Sequence, residues 1–460
     1  MSETLRARGS KVFLIIWLGQ TVSAIGTGIG SFALGVWVFE TTRSATQFAL
    51  IAFFAAVPAL LLAPIAGAAT DRFDRRLILI FTDLASALMT MTMALALASG
   101  HVRIWYVYPF VMAMVTLGVF QGPAFLSSVS LLVPREQLTR ASGMTQASQA
   151  IAQILGPVLA GLLIGFISYH GVLLADSCTF LFGALTLTLV RIPRPRMGAP
   201  GAVEVDAGGS AAAPAGGAAH GWRYIRARPG LFILMLMFAL TNFSMAIVQV
   251  LLAPLVLSFA PPRALGTVNS VAAVGSLAGA AVLGIWGGPR SRVGAILICL
   301  LAQALLLAVG GVLPSVTLIT CAATLFMFTV PIMNGCNEAI WQSKVAHDAQ
   351  GRVFAARQMI VLAAVPLAYL ISGPLADRLF NPLLIPGGAL AGSIGRLTGV
   401  GPGRGVGLLL MVLGVFVLAL AFVFSLNPRL RRVEQELLDA VPAETEAPLL
   451  VTKIEPQGAL

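Results

Sequence analysis

Long apolar runs alternate with short polar ones along the whole chain. Stretches of about 20 or more residues with almost no charge are long enough to cross a bilayer as helices. They fall at Val12–Phe39, Thr46–Thr70, Leu77–Ser99, Ile104–Val133, Ala141–Ser168, Val172–Val190, Leu231–Phe259, Leu265–Gly287, Val293–Leu313, Val316–Ser343, Gln358–Ala376 and Val406–Leu426. The pattern therefore predicts an all-α polytopic membrane protein of twelve transmembrane helices. Between Arg191 and Gly230 it changes to a Gly-, Ala- and Pro-rich segment with basic ends. Such a segment buries no core and reads as a flexible linker, with Trp222 and Tyr224 as interface anchors. The spans divide six and six. The expected units are a first bundle over 1–190, a linker over 191–230, a second bundle over 231–426 and a tail over 427–460.

Composition agrees with the pattern. Hydrophobic residues make up 58% of the 460-residue chain and charged ones 10%, with a mean hydropathy of +0.92. A soluble domain carries roughly 25% charged residues. The net charge of +11 is scattered between spans rather than gathered in a patch, which argues against a nucleic-acid partner. If the N-terminus is cytoplasmic, 23 of the 29 Lys and Arg fall in inside segments and six outside. That bias places both termini in the cytoplasm of a bacterial inner membrane. The opening MSETLRARGSK runs straight into the first span, so no removable signal peptide is expected. Cys178, Cys299, Cys321 and Cys336 all lie in apolar spans without a CxxC pair and read as free buried thiols, with no metal site.

The stretch Gly67-Ala-Ala-Thr-Asp71-Arg72-Phe-Asp74-Arg75-Arg76 is a charged turn between two spans. Gly67 is expected to let another helix approach closely, and Asp74 to take a left-handed turn position. Asp71 would be a fixed negative charge able to meet the positive end of another helix, or simply a solvated one. The halves also echo each other. Arg140 before the fifth span aligns with Arg352 before the eleventh, Gly161 with Gly373, and Gly67 has a counterpart in Gly284. A parallel repeat of this kind implies two bundles related by an axis along the membrane normal.

With these motifs in place, the chain resembles the major facilitator superfamily, and within it the macrolide-efflux and enterobactin-exporter type of drug:proton antiporters. The likeness rests on Gln20-Thr-Val-Ser23, Gly67 to Arg76 with Thr82-Asp83, Phe120-Gln-Gly-Pro123, Leu132-Val-Pro-Arg-Glu-Gln-Leu, Leu155-Gly156-Pro157 with Ala160-Gly161, Asp176, Pro374-Leu-Ala-Asp377 and Gly399 to Arg404. It implies the major facilitator fold, a monomer, and export of a small amphipathic molecule in exchange for protons. Gly118 stands where many such antiporters carry a fourth-helix arginine. The Gly156-Pro157 bend motif with Gly161 is linked in the resembling proteins to export.

Ionisable residues inside the spans are few and are default functional candidates. Asp83, Asp176 and Glu338 are the proton-coupling candidates. Asp83 is also placed to pair with Arg75 or Arg76, Asp176 to cap or bridge helices, and Glu338 to pair with Lys344. Gln20, Asn242, Asn334 and Asn337 are substrate-path candidates. So are Gln146, Gln149 and Gln153, which share one helix face and could equally hold helices together. Gly67, Asp71, Arg72, Arg75, Arg76, Arg140 and Arg352 form the expected gate, with Asp71 docking at the start of the eleventh helix. The chain carries no catalytic constellation, cofactor motif or nucleotide-binding loop. Rival readings are import or lipid transport by the same fold, or a non-transporting membrane scaffold or sensor.

Overall fold

The computed structural model describes residues 3–133, 137–190, 215–289, 291–345, 347–431 and 433. Its long helices are α1 (Glu3–Thr42), α2 (Ala45–Arg72), α3 (Arg75–Ala98), α4 (Val107–Leu132), α5 (Leu138–Leu189), a short α6 (Ala215–Arg226), then α7 (Pro229–Leu257), α8 (Pro262–Trp286), α9 (Arg292–Val312), α10 (Val316–Lys344) and α11 (His347–Pro374). A π-helical turn, Leu375–Phe380, leads to the short α12 (Asn381–Leu383) and α13 (Gly395–Thr398). They are followed by α14 (Arg404–Ser425) and α15 (Pro428–Arg431). No strand occurs among the described residues.

The starts of these helices follow from their polar punctuation. Ser44, Asp74, Ser291 and Ser315 are N-caps whose side chains accept from backbone N–H groups of the first turn. Pro229 and Pro262 open α7 and α8, where a missing N–H costs nothing. Asp74 has φ −64°, not the left-handed value expected of it, because its carboxylate serves better as a cap, accepting from Arg76 N at 3.0 Å. Arg404 at the head of α14 caps the far end of α9 instead of lying in a loop. Its Nη2 donates to the carbonyls of Gly311 (3.2 Å) and Val312 (2.5 Å).

Among the described residues eleven helical runs are apolar and long enough to span a membrane, yet they make twelve crossings. The 52-residue α5 turns back on itself at Ser168, whose φ of 59° and ψ of 175° are not helical. Its contacts along α1 show the reversal. Trp17 Nε1 donates to Met144 O at 3.0 Å, Thr21 Oγ1 lies 2.7 Å from Ser148 Oγ, and a Cβ added at Gly28 would lie 3.2 Å from Ala152 O. The first half of α5 therefore rises with α1. Added Cβ atoms at Gly19, Gly26 and Gly30 would meet Thr186, Thr179 and Asp176 in turn, so the second half descends. The fifth and sixth expected spans are these two halves, and the predicted end of the fifth at Ser168 coincides with the break.

On α3 the polar side chains of Thr82, Asp83, Ser86 and Thr90 face the protein and the large apolar ones of Phe81, Leu84 and Leu88 the surface. The helices gather into two bundles with separate apolar cores. One core joins Phe13, Ile16, Leu79, Ala124 and Leu187 of the first half. The other joins Leu234, Ile296, Ile340, Trp341 and Val417 of the second. A further cluster crosses between them, joining Phe39 and Ala49 to Leu251, Val268 and Leu409. The stretch 215–226, within the expected linker, is the helix α6. Gly221 of α6 sits against the Arg352 carbonyl of α11, and Ile225 is fully buried. The linker residues 191–214 and the tail beyond 433 lie outside the described residues.

Candidate transport site

The two bundles meet mainly towards the end of the molecule that holds Ser44. Ser270 Oγ donates to Ile154 O at 2.5 Å. Further along, Gly266 packs on the carbonyl of Pro157, and a Cβ at Gly161 would lie 2.9 Å from Arg263 Cα. Gly156 and Gly161 thus act as close-approach sites, Gly156 against α1 at Gly28 and Gly161 against α8. At the opposite end, which holds Asp74, Cβ atoms added at Gly67, Gly143 or Gly284 would have no described atom within 4 Å. The close helix approach expected at Gly67 is therefore not made by the described residues. The side chains of Asp71 and Arg72 lie outside those described. Arg140 is exposed and Arg352 is half-buried.

A cavity of about 510 Å³ lies between α5 and the second bundle, at the level of the Ile154–Ser270 contact. Gln153 and Pro157 form its α5 wall, facing Gln249 of α7, Asn269 and Ser276 of α8, and Phe326 of α10. The remaining wall is apolar, and none of its residues is ionisable. A few neutral hydrogen-bonding groups in an apolar wall suit a ligand with both characters. Of the expected substrate-path residues only Gln153 lies on this wall. Gln146 and Gln149 are exposed on the same helix, and Asn334 is exposed on α10. Asn242 bonds back to Phe238 O at 2.8 Å within α7. Asn337 is buried and accepts from Trp341 Nε1 at 3.1 Å, so it braces its own helix.

Asp83 and Asp176 are both enclosed within the first bundle. The expected pairing of Asp83 with Arg75 or Arg76 is not found. Those arginines reach backbone carbonyls instead, Arg75 to Ser127 at 3.0 Å and Arg76 to Leu187 and Thr188 at 3.0 and 2.9 Å. They are turned outward to cap helix ends, and Asp83 is turned inward. Gln20 Nε2 donates to Asp83 Oδ2 at 2.9 Å and Gln121 Nε2 to Oδ1 at 2.6 Å, while Gln121 also reaches Gln20 Oε1 at 3.0 Å. Gln20 thus belongs to this carboxamide–carboxylate cluster rather than to the cavity. Asp176 lies between Gly26 and Gly30 of α1, and its Oδ1 has no hydrogen-bond partner among the described residues. Near the Ser44 end, the Tyr169 hydroxyl donates to Glu40.

Glu338 is half-exposed on α10 and pairs with Arg357 of α11, rather than with Lys344 of its own helix. Arg357 is buried, its guanidinium carbon 5.2 Å from the Trp341 ring centre and 5.5 Å from that of Phe354. Sequence reasoning missed Arg357, because it placed the residue at a helix entrance. It passed over the role of Gln121 too, although a lone glutamine inside an apolar span was the available signal. The thiols of Cys178 and Cys321 are exposed on helix surfaces, whereas Cys299 and Cys336 are buried as expected.

The profile of the Major Facilitator Superfamily matches residues 16–368. Macrolide efflux protein A of Streptococcus pyogenes is 27% identical over 377 residues, covering 80% of this chain and 90% of that relative. The multidrug efflux pump Tap of Mycolicibacterium fortuitum is 27% identical over 378 residues, covering 80% and 89%. Among solved structures, a bacterial homolog of the human lysosomal transporter Spinster, in an inward-facing and unoccupied conformation, superposes with a TM-score of 0.71 at 16% identity. That match covers 96% of this chain and all of the other. The nucleoside transporter NupG superposes with a TM-score of 0.68 at 11% identity, covering 90% of this chain and 98% of its own. With two bundles closed on each other at one end, a cavity between them, and a profile match across most of its length, the chain belongs to the major facilitator superfamily of transporters.

Proposed function

We propose that the chain exports a small amphipathic molecule, such as a drug, a macrolide-like metabolite or a siderophore, across a bacterial inner membrane in exchange for protons. The observation that carries this reading is the apolar cavity with Gln153, Gln249 and Asn269 on its wall, set beside a junction closed at one end only. With both termini cytoplasmic, as the Lys and Arg bias favours, the closed Ser44 end faces outward and the Asp74 end faces the cytoplasm. Rocking of the bundles about the cavity then exposes it to each side in turn. The efflux pumps among the relatives support export. Asp176 is the favoured proton carrier, because its buried Oδ1 lacks a described partner and is free to take a proton. Asp83 and Glu338 are alternatives, each already satisfied by amide or guanidinium donors. We read the bundles as the units 1–190 and 231–426 and the working protein as a monomer.

The test is accumulation of macrolides, dyes and siderophores in a pump-deficient bacterial host, with and without a protonophore. Wild type is expected to lower accumulation of at least one compound, and the protonophore to abolish that difference. Asp176→Asn is expected to lose export while reaching the membrane in normal amount, with Glu338→Gln retaining most of it. Export that survives the protonophore would overturn proton antiport, and no response to any compound would overturn drug export.

A further inference from the structure

A polar contact of several hydrogen bonds between the bundles is made by Asp377, in the π-helical turn that follows α11. Its Oδ2 accepts from Ser44 Oγ at 2.7 Å and from Thr46 Oγ1 and Thr46 N at 2.8 Å each. Its Oδ1 accepts from Ala45 N at 3.1 Å and from Asn381 Nδ2 at 3.4 Å. The carboxylate thus covers the N-terminus of α2, where two otherwise orphaned N–H groups and the positive end of the helix dipole converge. Gly373 makes the approach possible, since a Cβ there would lie 3.0 Å from Thr46 N. Arg43 lines the same small cavity as Asp377, and Arg378 follows it in the turn.

The sequence around this contact has a second copy. Gly373-Pro-Leu-Ala-Asp377-Arg378 at the end of α11 repeats the spacing of Gly67-Ala-Ala-Thr-Asp71-Arg72 at the end of α2. In a twelve-crossing chain α2 and α11 traverse the membrane in opposite senses, so the two copies stand at opposite ends. We infer that Asp377 is a latch holding the Ser44 end closed, and that it works in alternation with the Gly67–Arg72 copy at the Asp74 end. Opening the Ser44 end obliges the carboxylate to give up four donors of the other bundle at once. Closing the Asp74 end brings the start of α11 towards the second copy. Because α2 and α11 are continuous helices, one end docks as the other parts.

The inference rests on the alternating-access reading above. Its test uses label distances and no substrate, so its failure is distinct from failure of the export reading. Spin labels are placed on the full-length chain in nanodiscs, in a background lacking the four cysteines. One pair, Trp105→Cys with Leu397→Cys, reports the Ser44 end; another, Phe73→Cys with Trp286→Cys, reports the Asp74 end. All four positions are more than half exposed. Charge-assisted hydrogen bonds are strong enough that Asp377→Ala is expected to raise the long-distance population at the Ser44 end about tenfold or more, with matching shortening at the other end. The double variant Ser44→Ala, Thr46→Ala is expected to move both pairs the same way by less, since the backbone donors remain. Unchanged distances in folded Asp377→Ala overturn the latch. Should that variant not fold, unchanged distances in the double variant overturn it.

Discussion

Asp83 and Asp176 are both carboxylates enclosed by helices, but they are held differently. Asp83 receives one carboxamide on each oxygen, whereas Asp176 presses an oxygen without a described partner against glycines. An interior polar group is tolerated when its partners are supplied, and removing it strands them. Asp83→Ala leaves Gln20 and Gln121 with unmatched donors and is expected to cost about 1–3 kcal/mol of stability. Thermal unfolding in detergent, with Asp83→Asn as the milder comparison, checks this. The choice between Arg75, Arg76 and Gln121 as partners of Asp83 was not legible in the chain. In water a polar stripe would set the rotation of α3. Here Phe81, Leu84 and Leu88 face outward, and an apolar sequence on most sides leaves that rotation open.

At the scale of elements, the number and ends of the helices were far more legible. A span must hold about 20 apolar residues and satisfy every backbone group within itself, so the sequence has little freedom. Even the reversal inside α5 was visible as the expected end at Ser168, although the chain stays helical on either side of it rather than forming a loop. That residue sits in a conformation that is essentially reserved for glycine and costs of the order of 1–3 kcal/mol. Ser168→Gly is therefore expected to stabilise the protein by about 1 kcal/mol. A rise in its melting temperature in detergent would show it, and a fall would mean that the serine side chain supports the turn. The helix α6 was not foreseen, because its Gly- and Ala-rich sequence reads as linker and its helical form depends on a seat against α11.

On the scale of the whole molecule, two bundles were expected from the change of pattern between Arg191 and Gly230 and from the echo between halves. What no echo could supply was how closely the bundles meet, which depends on glycines placed opposite backbone. Gly266 on α8 is such a position, facing Pro157 O. Gly266→Leu is expected to wedge the Ser44 end apart and abolish export, with insertion into the membrane unaffected. Accumulation assays alongside immunodetection in membranes test this, and retained export would show that the junction tolerates separation.

The cavity is shared unequally. Apart from Gln153 and Pro157, its wall belongs to α7, α8, α9, α10 and α14. A ligand held there is a passenger of one bundle, and the other bundle serves as a shutter. Most of its contacts then persist through the swing, so that its dissociation constants measured from the two sides should be nearly equal. Direction of net transport would come from what drives the shutter, not from a loss of grip on the cargo.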